Sequence, residues 1–237
     1  MSPASTSMAT ATTVFLFTLP FFTRDLGFLG EALAKLMKAS SWTAMDVLAI
    51  LFPARCGACG SRGGGLCSEC ARTLAPERFV LAGPPPLPVL ALGRYAGPLR
   101  RTVLAMKRGR RDVALALGRL LAAEAGATGG AVAAAPTSAR RRAVRGFDQA
   151  ALLARALGGS TVRLQLDGAS QHGATRAERL ARRVRFAGGD VVGRRVLVVD
   201  DVCSTGGTLL ACARALYAAG AATVEAVVLA RAERSPR

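Results

Sequence analysis

The sequence predicts an α/β fold, a parallel sheet with flanking helices preceded by a small four-cysteine module. Three observations carry that expectation. From residue 131 onwards, apolar runs of strand length alternate with stretches of helical period. Four cysteines fall in two equally spaced pairs between Cys56 and Cys70. The run VLVV, residues 196–199, leads into two adjacent carboxylates and a glycine turn, the order of strand, ligand-facing loop and helix used by open α/β sheets. With 237 residues, 51% of them apolar and 20% charged, the composition is globular and a sizeable core can be buried.

Taken in order, residues 1–44 read as an N-terminal extension without a fold of its own, upstream of a start at Met45. Its apolar run TVFLFTLPFF, residues 13–22, is broken by Pro20, has no preceding positive charge and is too short to span a bilayer. No stable membrane insertion is expected. Residues 45–80 hold the cysteine module. In LAGPPPLPVL, residues 81–90, the prolines exclude a helix and predict an extended connector. A linker is therefore placed at 81–93 and the main domain at 94–232.

Residues 98–125 read as two helices split by KRGRRD, with Leu99, Val103 and Met106 on one face of the first and Asp112 capping the second. AVAAAP, residues 131–136, is a strand candidate. Asp148 is placed to cap a helix carrying Leu152, Leu153, Ala156 and Leu157, closed by Gly158. STVRLQL (160–166), RRVLVV (194–199) and ATVEAVVLA (222–230) follow as strands, with a helix from about Gly207 to Tyr217 before the last. The stretch from Asp167 to Asp190 is long, polar and rich in arginine, which predicts a lid or binding loop.

In CGACGSRGGGLCSEC, Cys56 and Cys59 stand two residues apart, as do Cys67 and Cys70. Four thiolates on two such knuckles can close a tetrahedron around zinc, with glycines letting backbone N–H groups turn toward sulfur. All four positions would be filled by protein, so the metal is expected to be structural. An iron–sulfur cluster is the other metal-bearing reading, and a redox dithiol or four unrelated core cysteines the metal-free one. Clustered cysteines of this kind point to a reducing, cytoplasmic compartment.

VVDDVCSTGGT asks for two kinds of ligand group. The turn Val202, Cys203, Ser204, Thr205, Gly206, Gly207, Thr208 opens a helix, where unpaired N–H groups and hydroxyls favour a phosphate. Asp200 and Asp201 repel phosphate, but suit the vicinal hydroxyls of a ribose and an Mg²⁺ ion. Together the groups describe a ribose 5-phosphate. The Lys and spacing of a Walker A loop and the glycines of a dinucleotide fold are missing.

At these residues VLVVDDVCSTGGT resembles the signature of type I phosphoribosyltransferases, which bind phosphoribosyl pyrophosphate (PRPP). The four-cysteine ribbon, GRYAGPLRRTVLAMKRGRRDVALALGRLLA, APTSARRRAVRGFDQAALLA and QHGATRAERLARRVRF follow in the order of the ComF/GntX family of competence-associated phosphoribosyltransferase-like proteins, and the resemblance runs from about Met45 to Arg231. It implies a type I phosphoribosyltransferase-like sheet behind a four-cysteine zinc ribbon. It also implies that Pro136, Thr137, Ser138 and Ala139 form the pyrophosphate loop, with Arg145 adding charge. Arg101 and Lys107 fall in the family's corresponding segment, where they could reach a phosphate; as isolated basic residues on a helix they read instead as a solvated face or a DNA-facing patch. Gln171, Arg176 and Arg179 would sit on a loop closing over the substrate. The sequence departs from the family pattern at Asp148, where Asn is usual, and at Arg182 and Arg183, where an Asn is missing. His172, the one histidine, falls on that loop without a named partner.

The balance of 32 Lys and Arg against 15 Asp and Glu, +17 in all, reflects either biased composition or a basic face for an acidic partner. Two functions are therefore carried forward. One is PRPP binding with Mg²⁺ and phosphoribosyl transfer to an unknown acceptor. The other is a non-catalytic partner of single-stranded DNA or of a DNA-uptake helicase, using the basic segment from Arg94 to Arg111. Few aromatics are present for base stacking, 5% of the chain.

Overall fold

The computed structural model describes residues 54–126, 130–166 and 184–233. All of them belong to one compact unit, Pro53–Arg237. The extension at 1–44 and the loop residues Gln171, His172, Arg176, Arg179, Arg182 and Arg183 lie outside the described residues.

A seven-stranded sheet organises the unit. In chain order its strands are β1 (Glu77–Leu81), β2 (Leu87–Ala91), β3 (Ala131–Ala134), β4 (Ser160–Leu166), β5 (Val184–Gly188), β6 (Arg195–Cys203) and β7 (Thr223–Arg231). In space they run β1-β2-β7-β6-β3-β4-β5. The five inner strands pair in parallel, and β1 and β5 close the edges antiparallel.

Alternate residues of the inner strands feed two cores. On one face, Val196 and Val198 of β6 with Val224, Ala226 and Val228 of β7 pack under Leu209, Cys212 and Leu216 of α6 (Gly207–Ala218). On the other, Leu197, Val199, Val227 and Leu229 meet three helices. These are α2 (Gly97–Lys107), α3 (Arg111–Ala125) and α5 (Gln149–Leu157). Two short helices remain, α1 (Ser68–Arg72) in the cysteine module and α4 (Ala139–Arg145) after β3. Helices α3 and α5 approach so closely that a Cβ on Gly118 would lie 2.8 Å from that of Ala156.

Several expectations are met locally. Asp148 caps α5, accepting from the Ala151 N–H at 3.1 Å. The strand STVRLQL runs over the residues expected, and the helix after the glycine turn ends one residue later than expected.

Others are corrected. The linker placed at 81–93 contains β2, a strand inside the sheet with Leu87, Val89, Leu90 and Ala91 buried. Pro88 is exposed, and the parallel ladder to β7 begins only at Val89, so no sheet N–H is missed. Glu77–Leu81, assigned to the cysteine module, is the edge strand β1 of the same sheet. Residues 184–188 of the expected loop form β5. Asp112 does not cap α3. It lies in the first turn behind Arg110, and its Oδ2 accepts from the Gly65 N–H of the cysteine module at 3.3 Å.

Candidate functional site

The cysteine module is a pair of turns docked on α2 and α3. Cys56 N donates to Ser61 O, and Gly60, at φ 78°, donates back to Cys56 O, which makes the first knuckle. Cys67 precedes α1, and Cys70 lies within it. The four Sγ atoms fall within 4.8 Å of one another, with Cys59 and Cys67 3.7 Å apart. Two thiolates of a tetrahedral zinc site with Zn–S bonds near 2.3 Å stand about 3.8 Å apart, so the donor set fits such an ion. Burial pushes the Cys56 thiol up, but the backbone N–H groups of Cys59, Cys67 and Ala58 outweigh it, bringing its pKa to about 6. Burial, and then hydrogen bonding among the sulfurs, pushes Cys70 up to about 12.

The module is held to the helices by polar contacts. Arg101 Nε donates to Ala58 O at 2.9 Å, and Arg110 donates to Arg55 O. Arg101, expected to reach a phosphate, is thus turned to the cysteine knuckle. Much of the basic segment 94–111 is engaged in the same way. Arg94 pairs with Glu233, Arg110 with Asp112, and Arg111 stacks on Phe147.

At the carboxyl end of the sheet, β6 does not stop at the acids but continues through them to Cys203, still in register with β7. Asp200 Oδ1 accepts from the Asp201 N–H at 2.8 Å. Asp201 faces the opposite way, and its Oδ2 lies 3.1 Å from Lys107 Nζ and 3.7 Å from an Arg145 nitrogen. All three side chains are about four-fifths buried, where opposite charges interact more strongly than in open solvent. The guanidinium of Arg145 is held in turn by Gln149 Oε1 at 2.7 Å. Gln149 is 2% exposed, and its Nε2 has no hydrogen-bond partner. Neither Gln149 nor the meeting of Lys107 with Asp201 was foreseen from sequence. The signal present was Gln149 one place beyond the expected cap in RGFDQ.

Beyond Cys203 the chain turns sharply. Gly206, at φ 75°, is the residue before α6, and a Cβ there would come within 2.6 Å of Leu81 on β1. Gly206 has no side chain to cap α6, and the Gly207 N–H donates to Thr205 Oγ1 at a long 3.5 Å. Ser204, Thr205 and Thr208 are exposed around this turn. Cys203 is buried, and burial followed by the charge of Asp200 holds its thiol above the ordinary range. It is an inert core thiol.

Because Ala134 of β3 pairs with Val199 of β6, the next residues, Pro136, Thr137 and Ser138, emerge beside Asp200 and the turn. They line a cleft of about 790 Å³ shared with Arg142, Arg155 and Arg163. On the other side of β6, a cavity of about 460 Å³ is lined by Cys203, Ser204 and Thr205 together with β1 and the end of β7. The structure brings Lys107 and Arg145 to Asp201 and sets the turn after β6 and the loop after β3 at the ends of neighbouring strands, while the 790 Å³ cleft is lined by neither acid.

The fold and this site define a phosphoribosyltransferase-like protein. The family model of the phosphoribosyl transferase domain matches residues 143–237. The DNA utilization protein YhgH of Salmonella typhi is 31% identical over 206 residues, covering 70% of this chain and 90% of that protein. The chain belongs to the ComF/GntX family of phosphoribosyltransferase-like proteins. Mitochondrial ribose-phosphate pyrophosphokinase 3 of Spinacia oleracea is 51% identical over 47 residues, of which the chain spans only 12% of the length. Among solved structures, orotate phosphoribosyltransferase from Aeropyrum pernix is similar at 24% identity and a TM-score of 0.36, with 69% of this chain and 78% of that one covered.

Proposed function

We propose that the protein binds PRPP with Mg²⁺ at the carboxyl end of β6 and transfers the phosphoribosyl group to an acceptor. The observation that supports this most is the placement of Asp200 and Asp201 at the end of β6, before a turn into α6 on which Ser204, Thr205 and Thr208 are exposed. Val202, Cys203, Ser204, Thr205, Gly206, Gly207 and Thr208 would enclose the 5-phosphate. Asp200 and Asp201 would take the ribose hydroxyls. Thr137, Ser138 and the Ala139 backbone after Pro136 would meet the pyrophosphate, with Arg145 and Lys107 neutralising it.

Asp201 already meets two cations, so binding exchanges that pairing for one in which the acid takes hydroxyls and the cations take phosphate oxygens. Mg²⁺, when bound, supplies further positive charge for the departing pyrophosphate. The chain's own contribution is positioning and electrostatic stabilisation as the ribose carbon gains oxocarbenium character. Gln171, Arg176 and Arg179 would close over the ligand. In the cysteine module the proposed ion is structural Zn²⁺ on Cys56, Cys59, Cys67 and Cys70. We place the protein in the cytoplasm, in keeping with four reduced cysteines; among the described residues no helix is long and apolar enough to cross a membrane.

Isothermal titration of PRPP with Mg²⁺ tests this reading on the wild type and on the Asp200→Asn, Asp201→Asn double variant. Micromolar binding lost by at least about tenfold in the variant is expected, as charge-assisted hydrogen bonds are worth about 1.5–3 kcal/mol. Equal binding by both, or none by the wild type, overturns it.

A role in DNA uptake is the second reading, favoured by the relative named a DNA utilization protein and by the +17 charge. The engagement of Arg94, Arg101 and Arg110 by protein groups weakens the segment first expected to carry it. Salt-dependent binding of a single-stranded oligonucleotide that survives the double substitution would favour it.

A further inference from the structure

The sheet face under α2, α3 and α5 is covered unevenly. Helix α5 packs on β3 and β6, which leaves β4, one strand further out, with a polar row on that face. The register puts the row there: Val132, in the core beneath α5, pairs with Thr161, and Arg163 and Gln165 follow at the alternate positions. The 790 Å³ cleft occupies this face. It runs from Thr137 and Ser138 at the carboxyl end of the sheet, along α5, to Gly159 and Thr161 at the opposite end of β4. Because it follows the length of β4 and touches neither Asp200 nor Asp201, it is a separate place from the turn after β6.

Three elements each bring one arginine to the cleft, Arg142 from α4, Arg155 from α5 and Arg163 from β4. All three are exposed, and none forms an ion pair among the described residues. Strand β5 makes room for Arg163. Its ladder to β4 slips between Arg163 and Leu164, and Gly188, at φ 133°, would place a Cβ 2.9 Å from an Arg163 nitrogen. Irregularities of this kind re-aim a side chain beside a binding site. Asp148, the one acid in the lining, is turned to the Ala151 N–H as the cap of α5. Like charges gathered around one cleft repel one another, and an anion among them relieves the repulsion.

Between the arginines the floor is made by Val132, Ala134, Ala151 and Ala154, and no aromatic ring lines it. A nucleic-acid strand binds by stacking successive bases on aromatic side chains, a platform missing from this lining. A small apolar floor under a cationic rim suits instead a single phosphorylated molecule with a flat body, and the volume is that of a small-molecule site.

We propose that this cleft is a second phosphate site, independent of the PRPP reading, and that it takes a nucleoside triphosphate. The phosphates lie across Arg142, Arg155 and Arg163, whose forked guanidiniums can each hold two oxygens. The base lies on the floor between α5 and β4. Gln165, whose Oε1 is held by Arg185, keeps its amide N–H groups for the polar edge of the base.

The test is isothermal titration of ATP, GTP, inorganic tripolyphosphate and a single-stranded oligothymidine against the full chain, with circular dichroism to confirm folding of each variant. ATP or GTP is expected to bind the wild type more tightly than tripolyphosphate, and to lose about tenfold or more in Arg155→Gln, Arg163→Gln. Ala154→Leu, which fills the floor, should weaken the nucleotide and leave tripolyphosphate unchanged. Asp200→Asn, Asp201→Asn should keep nucleotide affinity within about twofold, since neither acid touches the cleft. Absence of nucleotide binding, or binding indifferent to the two arginines, overturns the assignment. So does loss in the acid variant, which would put the nucleotide on the turn after β6. Tripolyphosphate binding as tightly as ATP and GTP removes the nucleoside from the proposal, and tighter binding of the oligothymidine through the same arginines replaces it with a nucleic-acid groove. PRPP binding, measured separately, decides the earlier reading and leaves this one untouched.

Discussion

Asp201 is the residue on which most of the site converges, because two cations from different helices meet one of its oxygens. Asp201→Asn removes the shared anion and leaves Lys107 and Arg145 facing each other. The expected outcome is a split: PRPP binds more weakly for want of a hydroxyl acceptor, whereas inorganic pyrophosphate binds more tightly because both cations are released. Titration of the two ligands against one variant reads that split directly. Sequence alone exposed the acids, since two carboxylates after an apolar run have few other uses. Lys107 stayed hidden, because its meeting with Asp201 joins residues far apart in the chain and depends on how α2 lies across β6. Gln149 was hidden for a different reason: a glutamine in the first turn of a helix carries no pattern until its neighbours are known.

The elements divide in the same way into legible and concealed. Strands β6 and β7 read as valine-rich runs buried on both faces, so their existence and the span of β7 were plain, whereas the continuation of β6 through Asp200 and Asp201 to Cys203 was hidden by its two carboxylates. β2 was concealed by its prolines, which a strand tolerates at its first residues, before the parallel ladder begins. β5 was concealed by Arg185 and by the arginine-rich stretch before it, since only part of a short edge strand faces the core.

Two predictions concern element packing. Gly118→Ala forces a Cβ into α5 at 2.8 Å from Ala156 and should cost about 1–3 kcal/mol in urea unfolding. Most of that loss should return in the Gly118→Ala, Ala156→Gly double variant. The second concerns acid. The Arg110 guanidinium beside Asp112 holds its carboxyl below the ordinary range. Its contribution to docking of the cysteine module is therefore complete above the unfolded carboxylate value and lost as pH falls through the lowered one. The protection of the Gly65 N–H, measured against its intrinsic exchange rate, should fall in wild type as pH drops through that lowered value, and should be low already at neutral pH in Asp112→Ala.

At the scale of the whole molecule, one continuous sheet carries both the turns after β3 and β6 and, across its helical face, the cysteine module. The layered α/β plan was legible from the alternation of runs. The division into ribbon, linker and main domain was not, because β1 and β2 lie where composition alone suggests a connector. On the zinc reading, chelation should unfold the module, as ligand binding and folding are one free energy in such sites. In chelated protein, alkylation at neutral pH should reach Cys56, Cys59, Cys67 and Cys70 together and leave buried Cys203 and Cys212 unmodified, a pattern that peptide mass spectrometry resolves.

The docking of Ala58 onto Arg101 has a practical consequence, since Arg101 shares helix α2 with Lys107. A preparation only half loaded with zinc would contain two populations of α2, one braced at its outer face and one not. Titrating such a sample would return a blunted isotherm whose apparent stoichiometry follows metal content instead of protein concentration. On the zinc reading, zinc per chain, measured by atomic emission, is thus the quantity against which ligand affinity should be normalised.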